Sequence, residues 1–292
     1  MPELPEVETI RRGLNQNLAH KKIKSFWTNW PKKVEPSFRI VKNKIEGKKI
    51  NQVSRRAKIL IFQLDDYNYI LIHLKLTGQL ILRFKTKNLK LKTIAGGHPQ
   101  PGGVDNLPNK FTHYVFEFTD GSKLFFNDMR KFGWVKLVSQ NQLNEMIGKT
   151  GIEPFDKEFT LLNFERVLQK YPNRNVKQTL MDQNLLSGIG NIYADESLFA
   201  SKIQPTRQIK TLKSEEIKKL HSNIKRILTL AIKHKGTSTD TIYVQHDGQP
   251  GGYSKYLKVY GQHRNNCKVC GKPLKKIRLN GRGTHFCPHC QK

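Results

Sequence analysis

Cys267-Lys268-Val269-Cys270 and Cys287-Pro288-His289-Cys290 lie at one end of this sequence, and Leu274-Lys275-Lys276-Ile277-Arg278-Leu279-Asn280-Gly281-Arg282-Gly283-Thr284-His285-Phe286 runs between them. Each Cys-x-x-Cys knuckle turns two thiolates to one point, and the chain between the knuckles is long enough for a β-hairpin. Four thiolates complete a closed tetrahedral site for one zinc ion. With no open position for water, such a zinc is structural. The alternative is a pair of redox dithiols or unpaired thiols. His285 and His289 read as surface or hairpin residues, since the thiol set is complete without them. The chain has 4 cysteines, all in this segment. A secreted disulfide protein would not confine its cysteines to one tail, so a reducing, cytoplasmic setting fits.

Working outward, Gly236 to Lys255 is a glycine-rich loop, with Asp247-Gly248 and Gly251-Gly252. Before it a helix starts near Ser214 with Glu215 and Glu216 in its first turn. Ile217, Leu220, Ile224, Ile227, Leu228 and Ala231 form its apolar stripe, which is core rather than function. The region from about Phe159 to Gly236 reads as helical throughout. Gly148 to Asp156 reads as a linker. Upstream, short strand-like runs dominate: Ile59–Leu64, Tyr69–Leu74, Gln79–Phe84, Tyr114–Phe118 and Lys123–Phe126. Thr119-Asp120-Gly121-Ser122 joins the last two as a hairpin. Many short strands predict a β-sandwich or barrel. One helix follows Pro5, with Val7, Ile10, Leu14 and Leu18 at helical spacing, and a second is predicted between Pro36 and Gly47. Lys87 to Lys110, polar and rich in Gly and Pro, reads as a long mobile loop.

The 292 residues hold 52 Lys+Arg against 23 Asp+Glu, a formal charge of +29. The basic residues are spread along the chain. A folded protein with this much self-repulsion points to a polyanionic partner, with nucleic acid first. A generally lysine-rich surface is the bland reading, and an anionic membrane surface is weaker because no basic amphipathic anchor stands out. No apolar run reaches the roughly eighteen residues of a membrane span. Met1 to Glu8 carries 3 glutamates and does not read as a secretory signal.

That N-terminus is Met1-Pro2-Glu3-Leu4-Pro5-Glu6-Val7-Glu8. Removal of Met1 would expose the secondary amine of Pro2. An α-amino group titrates at about 7.7–8.0 and lysine at about 10.4, so near neutral pH the terminal amine has the larger free-base fraction. It can attack an electrophilic sugar carbon and form an iminium, with Glu3 and Glu6 able to transfer protons beside it. Taken alone, these residues favour the plainer reading, in which the prolines and carboxylates simply start a helix.

The context reverses that preference. The chain resembles the formamidopyrimidine-DNA glycosylases, bacterial enzymes for oxidised purines. The resemblance rests on Pro2-Glu3-Leu4-Pro5-Glu6-Val7-Glu8-Thr9, Arg55-Arg56-Ala57-Lys58 and His73-Leu74-Lys75-Leu76-Thr77-Gly78. It continues through Asp128-Met129-Arg130-Lys131-Phe132-Gly133, Gly188-Ile189-Gly190-Asn191-Ile192-Tyr193-Ala194 and Gly281-Arg282-Gly283-Thr284-His285-Phe286-Cys287. The motifs stand in family order and span nearly the whole chain. They imply an α+β fold: an N-terminal helix on a β-sandwich (1–148), a helix–two-turn–helix domain (149–236), then a lesion-covering loop and a C-terminal zinc-finger β-hairpin (237–292). DNA is expected across the cleft between the halves.

The resemblance also implies roles. Pro2 matches the nucleophile that attacks the sugar carbon bearing the damaged base, and Glu3 the proton donor that helps open the sugar ring. Glu6 matches a carboxylate that orders the site. Lys58 matches a lysine for phosphate contact and proton transfer in β-elimination, and Arg282 a finger arginine for phosphate binding and δ-elimination. Lys177 and Asn191 match phosphate contacts. A base inside a duplex must be flipped out for this chemistry. Arg130 and Phe132 match residues that fill the gap, Arg130 on the orphaned cytosine and Phe132 as a wedge. Leu76 stands where most members have Met. Its apolar volume suits the filler role, although it follows a strand and also reads as core. A histidine common in the strand approach to DNA is replaced by Phe111 when the alignment runs through His113. The expected protein is a monomeric glycosylase and abasic-site lyase acting on double-stranded DNA that contains oxidised purines. Its nearest rival is an enzyme for oxidised pyrimidines like endonuclease VIII, whose branch usually begins Pro-Glu-Gly-Pro-Glu, whereas Leu4 stands here. A non-enzymatic DNA-binding protein is disfavoured by the intact Pro2, Glu3, Lys58 and Arg282.

Overall fold

The computed structural model describes residues 2–86, 88–101, 103–237 and 251–292, which fold as two compact units. Most of the glycine-rich loop, 238–250, and Met1 lie outside the described residues. The first unit comprises Met1–Ile147 and His234–Gly252, the second Gly148–Lys233 and Tyr253–Lys292. The cysteine-bearing tail therefore folds with the helical region, while the segment that follows the long helix returns to the first unit.

The first unit opens with α1 (Leu4–Leu18), in which Pro5 supplies a preset backbone angle in the first turn and Glu3 caps the end. Then come β1 (Ile23–Thr28), β2 (Val34–Glu35), α2 (Phe38–Ile45), β3 (Ile50–Arg56), β4 (Ile59–Leu64), β5 (Asn68–His73) and β6 (Gly78–Lys85). They are followed by β7 (Leu91–Gly97), β8 (Thr112–Phe118), β9 (Lys123–Asp128), β10 (Trp134–Ser139) and α3 (Gln140–Gly148). Two five-stranded sheets form, in the orders β1-β8-β9-β6-β7 and β2-β10-β5-β4-β3. Side chains alternate across each strand. Leu60, Phe62, Leu80, Leu82 and Phe126 point into the shared core with Val7, Ile10, Leu14 and Leu18 of α1. Ile61 points the other way, toward Tyr69, Leu71, Val138 and Leu143. The expected sandwich with an N-terminal helix is present.

The stretch expected to be a mobile loop over Lys87–Lys110 is built otherwise. Leu91–Gly97 pairs antiparallel with β6 from Gln79↔Gly97 to Lys85↔Leu91. The strand escapes a hydrophobicity reading because it opens Leu91-Lys92-Thr93 and ends in two glycines, leaving only a short apolar centre. Gly96 is needed there: a Cβ would lie 2.6 Å from Cγ1 of Ile10, so α1 can approach the sheet only over a bare backbone. Beyond the strand, Val104 and Leu107 pack on Ile81, Ala95 and Phe125, and the Arg83 guanidinium donates to the carbonyls of Val104 and Asp105. β1, β3 and β10 also lie outside the strand runs read from the sequence.

The second unit contains α4 (Leu161–Gln169), α5 (Val176–Met181), α6 (Asn191–Ala200), α7 (Ser214–Lys233), β11 (Lys275–Leu279) and β12 (Arg282–Phe286). The stripe of α7 is buried as expected, together with Phe164, Leu168, Leu180, Tyr193 and Leu198. β11 and β12 pair from Lys275↔Phe286 to Leu279↔Arg282. The two residues between them, Asn280 and Gly281, have φ of 47° and 74°, the left-handed pair that a tight two-residue hairpin demands. No helix among the described residues is long and apolar enough to cross a membrane.

Candidate functional site

In the first unit the chemistry-bearing end of the chain is buried. Glu3 is 3% exposed and Glu6 2%. They form a capping box: the Glu3 carboxylate accepts the Glu6 backbone N–H, and Glu6 Oε2 accepts the Glu3 N–H at 2.8 Å. Glu6 Oε1 accepts a further N–H from Thr237 at 2.8 Å. One carboxylate thus ties the residue after Pro2 to the foot of the glycine-rich segment. Gly236 sits beside it with φ +84°, where a Cβ would lie 2.8 Å from Glu6 Oε1. Only glycine meets both conditions.

Along α1, Glu8 is held by three guanidiniums. Arg11, Arg12 Nε at 2.8 Å and Arg55 Nε at 3.0 Å all reach its oxygens. Burial opposes its ionisation, but these hydrogen bonds and charges outweigh it and hold the carboxyl below its ordinary pKa. Lys58, 5% exposed, follows Ala57, whose φ is 51° in the turn from β3 to β4. The next residue, Ile59, pairs with His73. Burial, then the charges of Lys75 and Lys58, push the His73 pKa down to about 3. Its neutral Nδ1 accepts the Lys75 N–H at 2.8 Å. Leu76 is half-buried in the turn that follows.

The loop from β9 to β10 exposes Met129, Arg130, Lys131 and Phe132 together. Phe132 is 52% exposed, and the Arg130 guanidinium lies 5.5 Å over its ring. Exposed aromatic surface next to an exposed guanidinium suits stacking against bases. The buried Asp128 carboxylate holds the loop. It accepts the Thr77 hydroxyl, the Arg130 N–H at 3.2 Å and the Gly133 N–H at 2.7 Å. His113 Nε2 meets the Asp128 carbonyl at 3.0 Å, and its Nδ1 meets Asn29 Oδ1 at 2.9 Å. Burial, then Lys131, holds the His113 pKa below its ordinary value. Phe111 accepts the Asp128 N–H at its carbonyl, 2.9 Å away. It thus contributes backbone to the loop whatever its side chain.

In the second unit Arg282 begins β12, exposed and without an ion pair among the described residues. It lines a depression of about 300 Å³ with Arg174, Lys177, Gln178 and Asn280. Lys177, expected at a phosphate, is turned inward. Its ammonium, 2% exposed, meets Asp195 Oδ1 at 2.7 Å, Thr284 Oγ1 at 2.8 Å and the Gly283 carbonyl at 3.2 Å. An ammonium has three hydrogens, so a phosphate would have to displace one of these partners. Asn191, the first residue of α6, donates from Nδ2 to the same Gly283 carbonyl at 2.9 Å. His285 is a hairpin residue, in β12, and not a surface one: it is 5% exposed, and its N–H reaches Asp195 Oδ2 at 2.8 Å.

Cys267, Cys270, Cys287 and Cys290 converge, with their sulfurs all within 4.8 Å of one another. The Cys267–Cys290 and Cys270–Cys287 separations are 3.9 and 3.5 Å. Four Zn–S bonds of about 2.3 Å in a tetrahedron require sulfurs about 3.8 Å apart, so donor set and spacing both fit zinc. A backbone N–H at Lys272 lowers the Cys270 thiol to about 7, while burial raises Cys287 and Cys290. A shared cation resolves that conflict by letting all four bind as thiolates.

Asp128, Thr77 and Asp195 were not singled out from the sequence. Asp128 and Thr77 lie inside the motifs that carry the family resemblance, and Asp195 directly follows one, so position is the available signal. What marks them as organisers is burial, which a sequence does not display.

Comparison with known proteins gives three matches in chain order. Residues 1–135 match the formamidopyrimidine-DNA glycosylase N-terminal domain, 150–242 the H2TH domain of the same enzymes, and 266–292 the zinc finger found in FPG and IleRS. A Lactobacillus helveticus formamidopyrimidine-DNA glycosylase is 38% identical over 293 residues, covering 100% of this chain and 99% of that one. A Lactococcus lactis FPG mutant in complex with DNA containing Fapy-dG superposes with TM-score 0.87 at 36% identity, covering 100% of both chains. The wild-type L. lactis protein with DNA containing an oxidised pyrimidine gives 0.85 at 36%, again covering 100% of both.

Proposed function

This chain belongs to the formamidopyrimidine-DNA glycosylase family, and from that premise we propose that Pro2 carries out its base excision and strand cleavage. The chain is a DNA glycosylase and abasic-site lyase of base excision repair, with one structural zinc ion and lesion-bearing duplex DNA as its partner. We place its work in the bacterial cytoplasm, on nucleoid DNA, with oxidised purines as the preferred lesions.

The Pro2 amine, freed of Met1, attacks C1′ of the damaged nucleotide as the bond to the base breaks. The base departs with the bonding electrons and takes up a proton, and the Pro2 nitrogen, now bonded to C1′, gives up its own. Glu3 gives a proton to the ring oxygen, the sugar opens, and the C1′–nitrogen bond becomes an iminium. This electron sink acidifies C2′. Lys58 transfers the proton in β-elimination, which expels the 3′ phosphate oxygen. Arg282 serves the second elimination at the 5′ side. Arg130 and Phe132, with Leu76, fill the gap left by the flipped base. Asn191 steadies the Gly283 backbone next to Arg282.

The observation that supports this reading most is the buried capping box behind Pro2, where Glu3 and Glu6 are nearly solvent-free. General acid catalysis contributes about 10²–10⁴-fold. Glu3→Gln is expected to lose about that much in excision of 8-oxoguanine opposite cytosine and far less on a pre-formed abasic site, whose sugar already opens. Equal losses on the two substrates would contradict the proton-donor role. A faster single turnover on oxidised pyrimidines than on 8-oxoguanine would move the chain to the rival substrate class.

A further inference from the structure

The loop that carries Arg130 and Phe132 has a backbone that needs holding. Lys131, between them, has φ of 54°. A non-glycine residue in this left-handed region is strained and persists only where its surroundings enforce it. Asp128 and Thr77 hold the two ends of the loop. The centre is held elsewhere. The Lys131 ammonium lies over the ring of Trp30, 4.4 Å from its centroid. Its other tether is the weak 3.3 Å bond from its own N–H to the Asp128 carbonyl.

Trp30 is itself fixed. It follows β1, and its N–H donates to Thr28 Oγ1 at 2.9 Å. That hydroxyl donates to the His113 carbonyl at 2.7 Å. The neighbouring Asn29 meets His113 Nδ1, and His113 reaches Asp128. The indole N–H has no hydrogen-bond partner among the described residues, so the ring offers its face. An aromatic face attracts a cation placed as Lys131 is.

We propose that Trp30 is a positioning residue for opposite-base selectivity. By holding Lys131 in the left-handed conformation it keeps that side chain on the Trp30 ring and leaves Arg130 and Phe132 stacked together. Trp30 acts through Lys131 and touches neither the lesion nor the reacting atoms. The inference rests on the assignment of Arg130 to the orphaned cytosine.

The test is the ratio of excision rates for 8-oxoguanine opposite cytosine and opposite adenine, measured in the full zinc-loaded chain. The variants are Trp30→Leu, Trp30→Phe, Lys131→Met, the Trp30→Leu/Lys131→Met double variant and Arg130→Ala. Trp30→Leu and Lys131→Met are each expected to lower the ratio by about two- to fivefold, the range one exposed cation–π contact sustains. The double variant is expected to lose no more than either single one, and Trp30→Phe to restore most of the ratio. A general loss of stability would slow both substrates alike and leave the ratio unmoved. Flattening by Arg130→Ala without any by Trp30→Leu, or additive losses in the double variant, would overturn the inference alone. An unchanged ratio in Arg130→Ala would overturn the assignment beneath it, and the inference with it.

Discussion

Glu6 shows how much a single side chain organises here. Its two oxygens accept backbone N–H groups from Glu3 and Thr237, residues far apart in sequence. Glu6→Gln keeps the shape but replaces one acceptor by an NH₂ donor, which then faces a buried N–H. Hydrogen bonds to charged groups contribute about 1.5–3 kcal/mol, so this variant is expected to lose about 2 kcal/mol in a denaturant titration and to excise bases more slowly. An unchanged midpoint would mean that the carboxylate is dispensable. Glu8 makes a pH prediction of the opposite kind to a titrating histidine. Its folded pKa lies below the ordinary carboxylate value despite burial, because Arg11, Arg12 and Arg55 favour the anion. The stabilisation is therefore present above the unfolded pKa, near 4.5, and fades as the pH falls through the lower folded value. Glu8→Gln is expected to flatten the acid limb of a melting-temperature profile between about pH 5 and 3. An acid limb identical to that of the unaltered chain would remove Glu8 from the account.

At the scale of elements, the loop from β9 to β10 and the β11–β12 hairpin carry the exposed cationic residues to which the account assigns DNA contacts. Arg130→Ala is expected to reduce the preference for cytosine opposite the lesion by about 1–3 kcal/mol, the discrimination one bidentate base contact gives. Competition between duplexes that differ only in the opposing base measures it. The elements differ in how legible they were. The stripe of α7 and the helix start at Pro5 are written in periodicity and capping, and both stand where the sequence puts them. β4 begins and ends where the strand-like run Ile59–Leu64 does. β7 is not legible in the sequence because its pairing is decided by a neighbour, β6, while Gly96 answers to Ile10 across the core and Gly97 to the backbone of Gly78. Lys177 shows the same limit at the site. The family resemblance matches it to a phosphate contact, yet a buried Asp195 on another helix claims its charge.

The whole molecule is a strongly basic chain, at +29, and that charge by itself points to a polyanionic partner. Binding to duplex DNA should weaken steeply with salt, since each neutralised phosphate releases counterions. Arg282→Ala is expected to weaken damaged and undamaged duplex alike and to reduce the log–log salt slope by about one. An unchanged slope would remove Arg282 from the phosphate contacts. Cys290→Ser breaks the four-sulfur set and is expected to release the zinc and abolish duplex binding, because the metal holds the hairpin that bears Arg282. Metal analysis that finds no zinc in a fully active preparation would contradict this. The central claim is covalent chemistry at Pro2, and borohydride tests it most directly by reducing an iminium to a stable bond. With duplex DNA carrying 8-oxoguanine opposite cytosine, the account predicts a trapped complex whose cross-linked peptide maps to Pro2, and no trapping by chain that retains Met1. A link mapped to a lysine, or efficient trapping by chain that retains Met1, would contradict it.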